Sequence, residues 1–493
     1  MGRKIAIIGA GSIVFCKTLV NDILAAGSMA DSEIVLMNRT EPKLRRMESF
    51  FQKIVQENHL QAKIWGTLDR QEAIRKADFV VVLIQVGGVR AFEQDYKIPL
   101  KWGVEQCIGD SLGPGGVFRG LRTIPVLLDI ARDIEKLANP KAIMLLYSNP
   151  MSCNCFALGK TSKVSFVGLC HSVQSTLDLI ACYCQVPKEE ITYTCGGINH
   201  MDWFLTLEHR GRDLYPILRE AFEKPEYYKN EKVRAEVFRN FGYFMTESSG
   251  HLSEYVPWFR KNKEAIDLYC DVSGFGGKTG AYYNWCKTIS DKYAACDHLE
   301  YESAKIEKRS KEYGSYIMEA TVSGKPFRFV GNVKNEDLIS NLPKECCVEV
   351  PVFIDGTGLH PQKIGSLPSQ CAAACLTNIN VQTLAAEAAI ETDTEKIVQA
   401  LALDPLTGAV CTLNEIREMC IEILETEREW LPNFEGKKIQ KHPFISIPKD
   451  IKPVEIPLDP ELAIGHRFGK LLKQDTSNVV GFDYCGRTIK KTD

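Results

Sequence analysis

A chain of 493 residues is longer than one hydrophobic core usually supports, so two packed domains are expected. Apolar residues make up 45% and charged residues 25%, ordinary proportions that exclude a disordered chain and a membrane protein. The formal net charge of −3 announces no basic face, so nucleic acid is not an expected partner.

The N-terminal run Ile5-Ala6-Ile7-Ile8 is too short for a signal-peptide core, and no later segment is apolar enough to span a membrane. Ala6 stands where myristoylation prefers Ser or Thr. Eighteen cysteines without a CxxC pair or an export signal fit a reducing cytoplasm, the expected location.

Residues 4–9 read as a buried strand ending in Gly9-Ala10-Gly11-Ser12, followed by a helix with Phe15, Leu19, Val20, Ile23 and Leu24 on its apolar side. Strand, glycine turn and helix make a cradle for a dinucleotide pyrophosphate, met by the N–H groups of the helix start. Val14 occupies the place of the third fingerprint glycine, so an ordinary tight turn is the alternative. A second strand, 33–37, follows at βαβ spacing and supports the nucleotide reading. At its end Asn38 replaces the usual ribose-binding acid and Arg39 follows, so NADP competes with NAD.

Residues 77–84 form another apolar strand, as parallel sheets require, and run into Gly87-Gly88. Residues 103–125 read as a glycine-rich loop with Asp110, leading into Arg119 and Arg122; such loops are either binding loops or solvent loops with local ion pairs. The strand 142–147 ends at Ser148-Asn149-Pro150, and the strand 164–169 delivers Cys170 and His171 to the same carboxyl edge, where open α/β sheets bind ligands. Asn149 offers a donor and an acceptor there, or simply a turn.

Cys170-His171-Ser172-Val173, answered by Gly197-Ile198-Asn199-His200, pairs a soft thiolate with imidazoles. Two such ligands are too few for a closed structural zinc site, so a metal here would keep positions open for substrate. The ordinary alternative is a buried thiol and a satisfied core histidine. The pattern gives an α/β chain: a dinucleotide-binding domain over 1–195, an α+β domain over 196–432, and an extension over 433–493 with no helical period. Helices are expected over 215–325 and 378–432, and the segment 243–251 concentrates ionisable side chains.

Together, Ile8-Gly9-Ala10-Gly11-Ser12, Asp110-Ser111-Leu112-Gly113-Pro114-Gly115-Gly116, Arg119-Gly120-Leu121-Arg122, Asn149-Pro150-Met151, Gly168 to Gln174, Gly197 to Met201 and Asn378 to Thr383 resemble glycoside hydrolase family 4 over residues 4–432. Cys-His-Ser-Val is similar to the version in its α-galactosidases, which implies an unphosphorylated galactoside; an α-glucosidase or α-galacturonidase of the family is the alternative. The resemblance implies a Rossmann-like domain related to lactate and malate dehydrogenases, a second α+β substrate domain, and a homodimer or homotetramer. It implies Gly9, Gly11 and Ser12 around NAD with Asn38 at the ribose, Cys170 and His200 as Mn²⁺ ligands, and Asn149, His171 and Arg119 at the sugar. The family's chemistry departs from the two-carboxylate scheme. Hydride leaves C3, the C2 proton is then removed, the C1 group is eliminated, water adds, and the hydride returns. Ser248 stands where family members often carry a Tyr or Asp as the C2 base, so its neighbour Glu247 is favoured for that role, with Tyr243 and His251 as alternatives, and Asp110 or His171 is the leaving-group acid. A 2-hydroxyacid dehydrogenase, and a nucleotide-binding sensor without catalysis, are the readings from other classes.

Overall fold

The computed structural model describes residues 2–12, 15–293, 297–443, 445–452, 454, 479–482 and 488–490. Val14, and most of the expected extension, lie outside the described residues.

Six strands alternate with helices through the first part: β1 (Lys4–Ile8), β2 (Glu33–Met37), β3 (Lys63–Thr67), β4 (Phe79–Val82), β5 (Ile143–Leu146) and β6 (Ser165–Gly168). All pair in parallel, in the order β3-β2-β1-β4-β5-β6. Strand side chains alternate faces, so Ile5, Ile7, Ile34, Leu36 and Val81 enter one core while Ala6, Ile8, Val35, Val80 and Val82 enter the other. Burial on both sides explains why these strands read as unbroken apolar runs. The order reverses between β1 and β4, which opens a crevice at the carboxyl edge.

The later strands extend the same sheet. β7 (Ile191–Ile198), β8 (Met201–His209), β9 (Arg212–Asp213), β10 (Phe327–Lys334), β11 (Cys347–Asp355) and β12 (Gly358–Pro361) continue it antiparallel as β6-β10-β11-β7-β8-β9, with β12 on β11. The sheet therefore crosses the expected boundary at residue 195 without a break. Residues Met1–Lys441 form one compact unit and His442–Asp493 a second. In the first unit, Phe434 and Ile439 are buried beyond the expected boundary at 432. In the second, Val479–Phe482 pairs antiparallel with Thr488–Lys490.

The expected glycine-rich loop over 103–125 is corrected. Only its first part is irregular, because a helix starts at Gly113 and runs to Leu137 with Pro114 in its first turn. A Cβ on Gly115 would lie 2.3 Å from the Gly109 carbonyl oxygen, and one on Gly116 would lie 2.4 Å from the Ser111 carbonyl carbon. These glycines serve close packing of the preceding turn onto the helix, and Arg119 and Arg122 are buried within it. The expected terminal helices occupy Ser369–Glu391, Thr394–Leu403, Pro405–Val410 and Leu413–Thr426. Among the described residues no disulfide is present, and no helix is long and apolar enough to cross a membrane.

Candidate active site

The carboxyl edge of β6 ends in Gly168, where a Cβ would lie 2.5 Å from Met151 Sδ. Cys170 follows two residues later. His200 closes the two-residue turn between β7 and β8, and Glu247 follows the backbone bridge from Met245 to Trp203. One ligand atom from each of Cys170, His200 and Glu247 lies within 4.8 Å of the others. His200 (φ 65°) and Glu247 (φ 81°) both hold the left-handed backbone that non-glycine residues avoid. Such conformations persist where the surroundings over-determine them and cluster at functional sites.

A short helix, Ser249–Tyr255, supports the group. Ser248 caps it by accepting the His251 N–H. The His251 ring lies 4.1 Å from the His200 ring, its Nδ1 is 3.6 Å from Glu247 Oε1, and the Tyr255 hydroxyl is 3.4 Å from His200 Nδ1. Glu254, one residue earlier, accepts the N–H groups of Ile108 (2.6 Å) and Gly109 (3.1 Å) and the Gln106 amide (3.0 Å), and so anchors the turn that presents Asp110. Spacings of three and four residues bring all three side chains to bear on one region.

Asp110 is buried. Ser111 donates to its Oδ1 (2.7 Å), Asn149 donates to its Oδ2 (2.9 Å), and Arg119 lies 3.8 Å away while its Nε donates to the Asn149 carbonyl (3.2 Å). Burial acts to raise the Asp110 carboxyl, yet Arg119, His251 and the Ser111 hydroxyl outweigh it and hold the group below the usual range. His171 begins the helix Ser172–Cys184, is 54% exposed, and places Nδ1 3.7 Å from Glu312 Oε1.

The electrostatics of the group fit a cation. Burial, then the facing Glu247 and Glu349 carboxylates, push the Cys170 thiol well above its ordinary value. Burial also pushes His200 down to about 3 and His251 down to about 4, so both imidazoles are neutral. Glu247 Oε2 and His251 Nε2 are buried without a hydrogen-bond partner. A divalent ion would displace the thiol proton and take up the unpartnered oxygen. Thiolate, imidazole and carboxylate suit a borderline divalent metal, and three ligands leave positions for substrate oxygens.

The second wall is the β1 turn. Gly9 has φ 98°, and a Cβ on it would lie 2.5 Å from the Leu83 carbonyl oxygen. A Cβ on Gly11 would lie 2.5 Å from Asn38 Nδ2, so the turn and the end of β2 form one close cradle. Ser12 Oγ accepts the Phe15 N–H at the helix start, and Asn38 Oδ1 accepts the N–H of exposed Arg39. This geometry fits a dinucleotide pyrophosphate against helix N–H groups.

A polar row lies behind the donor group. Registers place Gly168, Asn332, Glu349, Gly197 and Asp202 side by side across β6, β10, β11, β7 and β8. Asn332 donates to Glu349 Oε1 (2.8 Å), while Glu349 Oε2 and both Asp202 oxygens lack a partner. Burial pushes Glu349 up to about 7 and Asp202 well above the carboxylate range. The sequence reading did not include Glu254, Tyr255, Asp202 or Glu349. The charged residue amid Cys347-Val348-Val350-Val352 was the available signal for Glu349.

A Rossmann-type half-sheet whose carboxyl edge gathers a thiol, an imidazole and a carboxylate defines the class: a Rossmann-like chain whose sheet edge fits a dinucleotide and a soft divalent metal. Comparison with known proteins supplies the family. Residues 4–186 match the family 4 glycosyl hydrolase model, and residues 195–407 match that family's C-terminal domain. The chain is 40% identical to the α-galactosidase of Rhizobium meliloti (strain 1021), covering 87% of this chain and 89% of that one. It is 37% identical to the α-galactosidase of Bacillus subtilis (strain 168), covering 88% and 100%. A 6-phospho-α-glucosidase from gut microorganisms, solved in complex with NAD and Mn²⁺, superposes with a TM-score of 0.73 at 19% identity, covering 88% of this chain and 99% of that one. The chain belongs to glycosyl hydrolase family 4.

Proposed function

We propose that this chain is an α-galactosidase acting on unphosphorylated, melibiose-like α-galactosides with NAD and Mn²⁺. The reading is carried by one observation: Cys170, His200 and Glu247 converge within 4.8 Å at the sheet edge that also holds the Gly9–Ser12 turn. The names of the two α-galactosidase relatives support the substrate class, and family membership favours glycoside chemistry over a 2-hydroxyacid dehydrogenase.

When bound, NAD would supply a hydride acceptor for sugar C3 and the metal a Lewis acid for the C3 oxygen, which would make the C2 proton acidic. Cys170, His200 and Glu247 would hold the metal, and the Tyr255 hydroxyl beside Nδ1 of His200 would leave its Nε2 free for that role. Glu247, expected from the sequence as the base, is thereby assigned to the metal. His251, neutral and with an unpartnered Nε2, takes the C2 proton. Asp110, kept ionised, accepts a sugar hydroxyl with Asn149 and Arg119 beside it. His171, exposed and next to Glu312, protonates the leaving oxygen and exchanges its proton with solvent. Gly9, Gly11 and Ser12 face the pyrophosphate, and Asn38 faces the adenosine ribose. A cytoplasmic homodimer or homotetramer belongs to the same reading, and sedimentation tests the assembly.

The test is a panel of p-nitrophenyl α-glycosides, galacto, gluco and galacturono, assayed with and without Mn²⁺, NAD⁺ and NADP⁺. Cleavage of the galactoside only with metal and nucleotide is expected. Cleavage that persists after both are removed refutes the mechanism, and preference for another sugar moves the chain elsewhere within the family. Tight nucleotide binding without turnover of any glycoside favours the sensor.

A further inference from the structure

An aromatic group beside the turn that presents Asp110 has no role in the chemistry above. The helix Ala281–Tyr293 carries Tyr282 and Trp285 stacked with ring centroids 5.9 Å apart and planes inclined by 15°. Phe275 closes against both edge-on, 5.9 Å from Tyr282 and 6.4 Å from Trp285. Phe275 is 44% and Trp285 42% exposed, so two large rings of one cluster are left open to solvent. Clustered apolar surface of this kind marks a contact site, whereas single exposed apolar residues need no explanation.

Backbone contacts tie the cluster to the catalytic walls. The Tyr282 N–H donates to the Cys107 carbonyl (3.1 Å), and the Gly280 N–H donates to the Gln106 carbonyl (2.8 Å), three and four residues before Asp110. Phe92 bridges the two groups, its ring 5.6 Å from the Tyr282 ring and 5.6 Å from the Arg119 guanidinium carbon. Burial, then the nearby Asp110 carboxylate, push the Tyr282 hydroxyl upward. On the other side, the Phe275 carbonyl lies against Gly250, where a Cβ would approach it to 2.3 Å, in the helix that carries His251. The aromatic face thus abuts both the Asp110 turn and the His251 helix. Helical spacing produces it, since residues 282, 285 and 286 share one side while Lys287 pairs with Asp291 in solvent.

We infer that Trp285 and Phe275 form the aglycone platform, a floor on which the ring leaving with the C1 oxygen, a second pyranose or an aryl group, stacks while the galactosyl ring lies over the metal donors. This rests on the α-galactosidase reading. A leaving ring must extend outward from the donor group, and an aromatic face offers its C–H surface a matching apolar partner. The His171–Glu312 side is polar, so it suits the proton transfer and not the stacking. Binding energy gathered on the remote ring lowers the barrier at C1, so these side chains set preference among α-galactosides without touching the reacting atoms.

The test compares full-length wild type with Trp285→Ala, Trp285→Tyr and Phe275→Ala, in Mn²⁺ and NAD⁺, on melibiose, p-nitrophenyl α-galactoside and α-galactosyl fluoride. The fluoride has no leaving ring. Trp285→Ala should lower kcat/KM on the first two substrates by about three- to tenfold, the scale of one aromatic stack. The fluoride should change by less than about twofold, and Trp285→Tyr should recover most of the loss, as expected if stacking alone is removed. An equal loss on all three substrates overturns the platform in favour of a general structural role. Unchanged kinetics with a smaller assembly in sedimentation overturns it in favour of contact between copies of this chain. Quenching of tryptophan emission by melibiose needs no turnover and separates the two readings. If wild type cleaves no α-galactoside, the enzyme reading fails, and quenching that is lost in Trp285→Phe still supports the platform, while quenching unaffected by that change overturns it.

Discussion

Glu349→Gln should stabilise the metal-free protein in mild alkali and leave it unchanged in acid. Burial pushes Glu349 up to about 7, from an ordinary value of 4.5. The folded chain then binds more protons than the unfolded chain between those values, so wild-type stability falls as pH rises through that window. The full penalty is present above pH 7 and absent below 4.5. At 1.36 kcal/mol per unit, a rise from 4.5 to about 7 corresponds to about 3 kcal/mol. Glutamine carries no such penalty, and its Oε1 can keep the hydrogen bond from Asn332. With unfolding entropy of ~0.9 kcal/mol/K for a unit of this size, the variant should melt about 3 °C higher at pH 8 than wild type and level with it near pH 4.5. Thermal melts in EDTA across that range make the measurement. A bound cation lowers the Glu349 pKa, so Mn²⁺ should narrow the difference. A variant less stable at pH 8, or a difference independent of pH, refutes the reasoning.

The other predictions concern the donor set and its supports. Cys170→Ser and Glu247→Gln should each weaken Mn²⁺ binding at least about tenfold, read by electron paramagnetic resonance of the free ion. His251→Gln should keep the metal and lose exchange of the sugar C2 proton with solvent. Undiminished metal affinity in Glu247→Gln would return that carboxylate to the role of base. Arg122→Met leaves the buried Asp95 and Glu427 carboxylates without the guanidinium that bridges them, and should cost about 3–5 kcal/mol in denaturant unfolding. Adding Asp95→Asn and Glu427→Gln should recover much of that loss. Gly250→Ala drives a Cβ to within 2.3 Å of the Phe275 carbonyl oxygen and 2.7 Å of Cys107 Sγ. It should cost about 1–3 kcal/mol and lower kcat by shifting the helix that carries His251.

The expected parallel half of the sheet, the β1 glycine turn and the delivery of Cys170 to a strand edge all agree with the structure. Apolar runs of four to six residues, punctuated by glycine and spaced for βαβ units, have few other foldings. The 103–125 segment was misread because glycine is ambiguous: a Gly-Pro-Gly-Gly string suits a loop, yet here it lets a helix start pack against the turn before it. The antiparallel extension was not legible either, because β10 pairs beside β6, some 160 residues earlier in the chain, and local pattern carries no record of that partner.

Residue type alone left Cys170 and His200 open between a metal pair and a buried thiol with a core histidine, because the chain holds eighteen cysteines and nine histidines; only the family resemblance singled the pair out. That Glu247 joins them, that His251 and Tyr255 pack on His200, and that Glu254 holds the Asp110 turn follow only from the tertiary structure. The physical reason is that sequence specifies which atoms can bind a cation or carry a proton. Which of them meet within 4.8 Å depends on left-handed turns at His200 and Glu247 and on a short helix wedged between two loops, all held by contacts distant in the chain.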